Sequence, residues 1–209
     1  ITGLICLLTC FLNTGQLFAS EKAQQDGNTK ALFAMRYEIW LEWKRSPEFG
    51  LCSDSNGAVG PLWESIIDLG PAALPYIAQQ METDPILITA FVAITRVKLR
   101  DGRPAPPKDY EAAVKSRRDR YLSWWNEDMK NIDTNIRKDL TIFKEMKSKK
   151  KPQKELEDSL SNIQNYYGIF LLPYILPEIE KGDQDFVSLA LDLLDAVQVD
   201  KEIIHGFKT

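Results

Sequence analysis

The chain predicts an all-α protein, on three observations. Its apolar residues recur at helical spacing, strict polar–apolar alternation is absent, and one helix start is written twice. Leu69–Glu82 reads LGPAALPYIAQQME and Tyr167–Glu180 reads YGIFLLPYILPEIE, so Gly, three residues and Leu-Pro-Tyr-Ile return ninety-eight positions later.

Residues 1–19 carry no charge, and Ile1–Leu12 is a nearly unbroken apolar run. The run is shorter than the roughly 20 apolar residues a membrane span needs. It fits the apolar region of a secretory signal peptide, with Leu17-Phe18-Ala19 as cleavage site. The basic n-region and the initiator Met are missing, so the signal is read as truncated at its start. An exported protein, periplasmic or extracellular, is expected. Removal of Cys6 and Cys10 would leave Cys52 alone, and no intramolecular disulfide.

Residues 20–28 read as a disordered polar leader. A helix then starts at an Asn28 or Thr29 cap, with Leu32, Met35, Ile39 and Trp43 as its buried stripe and Pro47 barring continuation. A loop over 46–60 holds the turn signal Asn56-Gly57, and Pro61 opens a short helix with Trp63, Ile66 and Ile67 that Gly70 ends.

The repeated stretch comes next. Leu74, Ile77, Ala78 and Met81 stand at i, i+3, i+4 and i+7, and Leu172, Ile175, Leu176 and Ile179 hold the same places in the second copy. Pro75 and Pro173 suit a first helical turn, and Pro177, present only in the second copy, predicts a kink or a split-off turn. Each copy leads into another apolar helix, 85–97 and 185–197. With one inserted residue, Ile88-Ala90-Phe91-Val92-Ile94-Val97 overlays Val187-Leu189-Ala190-Leu191-Leu193-Ala196.

Upstream, Arg36–Trp40 (RYEIW) is echoed by Arg120–Trp124 (RYLSW). Two helical halves follow as an expectation: 29–100, with the pair 70–97, and 108–197, with the pair 168–197. A Pro-rich joint at 101–107 links them, and 198–209 forms a tail. The second half is longer by a helix at about Asp133–Lys147 and a lysine-rich turn closed by Pro152.

Gly-x-x-Ala-Leu-Pro-Tyr-Ile at 70–77, followed by a second apolar helix, resembles HEAT-type α-helical repeats, above all bacterial ones with an Ala-Leu-Pro-x-Leu opening. The resemblance covers two non-adjacent copies. It implies a HEAT-like helical-repeat array, an α-α superhelix; an irregular helical bundle of eight or nine helices fits the same periodicity.

Charge and composition narrow the function. With 26 basic and 30 acidic residues the net charge is −4, against the basic excess of a nucleic-acid binder. No later segment reaches spanning length, so no membrane span is expected in the mature chain. The one histidine, His205, lies close to the C-terminus. One His and one Cys cannot build the usual metal site, and Gly-rich phosphate loops are absent, so neither metal nor cofactor is expected.

The chain is therefore read as a non-catalytic scaffold binding another macromolecule, a protein or a glycan. Trp124 points roughly 100° away from Trp125, off the stripe Tyr121-Trp125-Met129, and is placed outermost. Tyr76 and Tyr174 lie off the apolar stripes at equivalent places, and Lys149, Lys150 and Lys151 offer a cationic turn. An alternative is a carboxylate-based polysaccharide-active enzyme using Glu38, Glu42, Glu127 or Asp128. It needs two carboxyl groups roughly 5–10 Å apart, whereas glutamates flanking a helix stripe are ordinarily a solvated face. A third reading is a fragment of a larger envelope protein, exposing apolar surface at Val197–Phe207.

Overall fold

A computed structural model describes residues 19–47, 49, 60–99 and 110–195. Among these the chain is α-helical, with short 3-10 turns and no strand. The apolar start, Cys52, the 54–57 turn, the Pro-rich joint, His205 and the tail fall outside the described residues. No described helix is long and apolar enough to cross a membrane.

Two compact units form. The first holds α1 (Ala19–Arg45), α2 (Pro61–Ile67), α3 (Leu74–Met81), α4 (Leu87–Thr95, its last residue grouped with the second unit) and α5 (Tyr110–Asn126). The second holds residues 95–99 with α6 (Ile132–Ser148), α7 (Gln153–Tyr167), α8 (Leu172–Glu180) and α9 (Gln184–Asp195). The units thus do not follow the joint read at 101–107, because α5 packs with the first unit: Phe91 on α4 meets Tyr121, Trp124 and Trp125 edge-on.

One order of elements runs through both units. A long helix is followed by a second helix, a glycine, a four-residue 3-10 turn and a helix pair. Phe33, Tyr37 and Trp40 on α1 match Ile136, Leu140 and Phe143 on α6 in spacing and burial. The element order therefore pairs α1 with α6, whereas the RYEIW and RYLSW echo pairs it with α5.

The repeated start folds alike in each copy. Gly70 and Gly168 both take positive φ, 64° and 53°, the conformation a side chain resists. The 3-10 turns Gly70–Ala73 and Gly168–Leu171 lead into α3 and α8, each with proline in its first turn. Leu74, Ile77, Ala78 and Met81 are all buried; so are Ile175, Leu176 and Ile179, with Leu172 partly covered. Pro177 does not split α8, which runs unbroken past it. Pro173 and Pro177 are both exposed, so the carbonyl that loses its helical donor lies on the solvent side.

Two expectations for α1 are corrected. The helix starts at Ala19, not at residue 28, so 20–28 is helical rather than a disordered leader. Glu21-Lys22-Ala23-Gln24-Gln25 are all good helix formers, and one Gly27 costs only about 1 kcal/mol. The buried stripe is Phe33-Tyr37-Trp40, extended by Phe33 stacking on Tyr76 and Trp40 packing at a tilt on Trp63, whereas Met35 and Ile39 are 52% and 43% exposed. The helix carries two apolar faces roughly 120–150° apart, and periodicity alone does not rank them. The larger aromatic face went inward, as burial of greater apolar area favours.

Candidate functional site

The two apolar faces of α1 make its outer side the first candidate surface. Met35 and Ile39 stand one turn apart, with half-buried Leu32 beside them and Trp43 near the end, its ring edge-on to Phe49 at 5.0 Å. Glu38 and Glu42 border this face, both exposed; Glu38 pairs loosely with Arg45 at 3.6 Å. The opposite side is fixed: Arg36 donates to the Ser65 carbonyl, and Tyr37 donates its hydroxyl to Asp84 at 2.8 Å. Burial, followed by the Asp84 carboxylate, holds the Tyr37 phenol well above its ordinary range.

The equivalent side of α6 is polar. Positions matching Leu32, Met35 and Ile39 are Asn135, Lys138 and Ile142, and only Ile142 keeps an exposed apolar side chain, at 46%. Helix α7 runs along this side and closes a groove of about 460 Å³. Tyr166, 37% exposed, stands in it with Tyr167 packed edge-on at 5.0 Å. Tyr166 donates to Asp128 and Tyr167 to Asp139, each at 2.7 Å. Burial, then these carboxylates, pushes both phenols well above their ordinary range.

The residues expected to bind fare differently. Trp124 is corrected: it is 2% exposed, edge-on to Phe91 at 6.2 Å, while Trp125 is only half-buried. Helix α5 ends at Asn126, so Met129, in the following 3-10 turn, does not extend the expected Tyr121-Trp125 stripe, and the core face follows Tyr121 and Trp124. Tyr76 and Tyr174 are half-buried between helices. Tyr76 stacks on Phe33 at 6.5 Å, and Tyr174 sits under Arg137 at 5.3 Å with the Asp133 carboxylate close by. Arg137, then Tyr174, holds Asp133 below its ordinary value, while Tyr174 is raised by burial and by Asp133.

Lys149, Lys150 and Lys151 are exposed where α6 ends, with long contacts from Lys149 to Glu145 (3.4 Å) and Lys151 to Glu155 (3.6 Å). Cations there also complement the helix dipole. Of the carboxylates weighed for catalysis, Glu38 and Glu42 border the α1 face in the first unit, and Asp128 accepts from Tyr166 in the second. Among the described residues no group of three or more His, Cys, Asp or Glu is placed to hold a metal ion.

Sequence reading missed the tyrosine–carboxylate pairs. It also missed that Asp84 and Asp183, just past each Leu-Pro-Tyr-Ile helix, take the same role. Asp84 Oδ1 accepts from the Ile86 amide at 3.3 Å, and Asp183 Oδ1 from the Asp185 amide at 3.2 Å. An aspartate at nearly the same offset in both copies was the available signal.

No protein-family model, curated protein or solved structure matches the chain.

Proposed function

We propose that this chain is an exported, non-catalytic helical scaffold that binds another macromolecule, a protein, through the outer face of α1. One observation carries the reading. The exposed large apolar side chains of the described residues are Met35, Ile39, Ile142 and Tyr166, and they fall on matching sides of the first helix of each unit or on the helix beside it. Scattered exposed apolar residues need no explanation, but Met35 and Ile39 stand together one turn apart with half-buried Leu32 beside them, and such grouping supports an interaction surface on α1. The HEAT-like reading of the repeat accords with this, since stacked helical pairs bury one side and leave another for partners. Export rests on the charge-free apolar start.

The test is a capture experiment on cell-envelope extract with the immobilised protein and its Met35→Glu/Ile39→Glu double variant. Both positions are exposed, so the variant should fold within about 0.5 kcal/mol of the parent. A protein retained by the parent and lost by the variant supports the reading. Equal retention by both removes α1 from the binding surface. Trp124→Ala is unsuited to this purpose, because it empties a core position.

A further inference from the structure

We propose that the groove between α6 and α7 is a saccharide site, taking a short neutral, amide-bearing stretch of a glycan. Its volume, about 460 Å³, lies in the range of small-ligand sites rather than of surfaces that dock a folded domain. Its chemistry is divided in the way a sugar ring is divided, into an apolar face and a hydrogen-bonding edge.

The apolar part is Tyr166 with Ile142, both partly open to solvent. Tyr166 cannot swing away. Its hydroxyl is held by Asp128 and its ring is wedged against Tyr167, whose own hydroxyl is held by Asp139. A ring locked at both ends is a prepaid stacking platform, because little side-chain entropy is left to lose on binding.

The polar part comes from both walls: Asn135 and Lys138 on α6, Ser159 and Asn162 on α7. Among the described residues these four spend no polar side-chain group on a protein partner. Each asparagine presents a planar donor–acceptor pair, which matches vicinal hydroxyls or an acetamido group, and Ser159 can donate or accept. Among the described residues Lys138 is the one ammonium lining the groove, and the Asp139 carboxylate lines it too, so a polyanion finds little there.

The probe is the full chain titrated by calorimetry with an N-acetylglucosamine tetrasaccharide, with cellotetraose, tetragalacturonate and tetra-alanine alongside. The acetamido sugar should bind with a millimolar or tighter Kd, and tetragalacturonate and tetra-alanine should bind more weakly. Tyr166→Ala and Asn162→Ala should each weaken it about tenfold. Asn162 is exposed and makes no protein contact that its loss would break, so its variant remains informative if Tyr166→Ala misfolds. Met35→Glu/Ile39→Glu should leave sugar binding unchanged, which separates this site from the α1 face. Absence of binding by any sugar up to about 10 mM, tighter binding of tetra-alanine, or binding untouched by Asn162→Ala would overturn the proposal.

Discussion

Gly70 and Gly168 open the same motif with the same backbone sign, yet they answer to different demands. A side chain at Gly70 would meet open space. One at Gly168 would collide with the Thr95 carbonyl and lie 3.0 Å from the Arg96 carbon. The chain leaving α4 lies directly on Gly168, with the Lys98 amide donating to the Asn165 carbonyl at 2.6 Å and Val97 fully buried. Identical residues in a repeat thus serve one local requirement in the first copy and a local plus a tertiary one in the second.

The sharpest test of that difference is a pair of alanines. Gly70→Ala should cost about 1–2 kcal/mol, the penalty for a Cβ at positive φ. Gly168→Ala should cost about 3 kcal/mol or more, since backbone overlap adds to a conformation, φ 53° and ψ −134°, that glycine almost alone adopts. Denaturant midpoints decide it. Equal losses would mean that the 95–99 segment yields easily, and the second copy would then be no more constrained than the first.

Alkali should sharpen the contrast next. The first unit holds Tyr37 with a raised phenol pKa; the second holds Tyr166, Tyr167 and Tyr174. A raised folded value favours the neutral phenol, so this stability is in place below the ordinary 10.0 and drains away as pH rises past it. The second unit should therefore lose more between about pH 10 and 12, and Tyr167→Phe should flatten its decline. Acid acts on the same unit by another route. Lys144 and then Lys181 hold Glu178 below its ordinary 4.5, a contribution present above that value and lost as pH falls through it. Amide exchange followed across both pH ranges, residue by residue, would expose a uniform response if the units do not differ.

These differences explain what the sequence made legible. Helices α3, α4, α8 and α9 follow from local periodicity, because their stripes are unambiguous: Leu87, Ala90 and Phe91 bury as Phe186, Leu189 and Ala190 do. Helix α1 carries two apolar faces, and which one turns inward depends on Tyr76 and Trp63, residues remote in sequence. Trp124 lies inward, against the sequence expectation, for a neighbouring reason: the end of α5 at Asn126 decides which stripe reaches the core. The groove was least visible. Tyr166 and Asp128 are thirty-eight positions apart, and nothing local ties a tyrosine to that carboxylate.

The smallest expected effect separates the two turn aspartates. Both accept the backbone amide two residues on, in the turn between the paired helices, but Tyr37 on α1 holds Asp84, whereas Lys147 on α6 holds Asp183 and Asp185 at 2.9 and 2.7 Å. A phenol hydrogen bond, partly buried, is insensitive to salt; an ion pair with a lysine side chain 42% exposed is screened. Tyr37→Phe should cost about 1 kcal/mol at low salt and at 1 M salt alike. Lys147→Met should cost at most about 0.5–1 kcal/mol at low salt and close to nothing at 1 M, where charges are screened within roughly 3 Å. If Lys147→Met costs the same at both salt concentrations, the hold of Lys147 on the α8–α9 turn is not a screened ion pair, and the contrast with the salt-insensitive Tyr37–Asp84 hydrogen bond disappears.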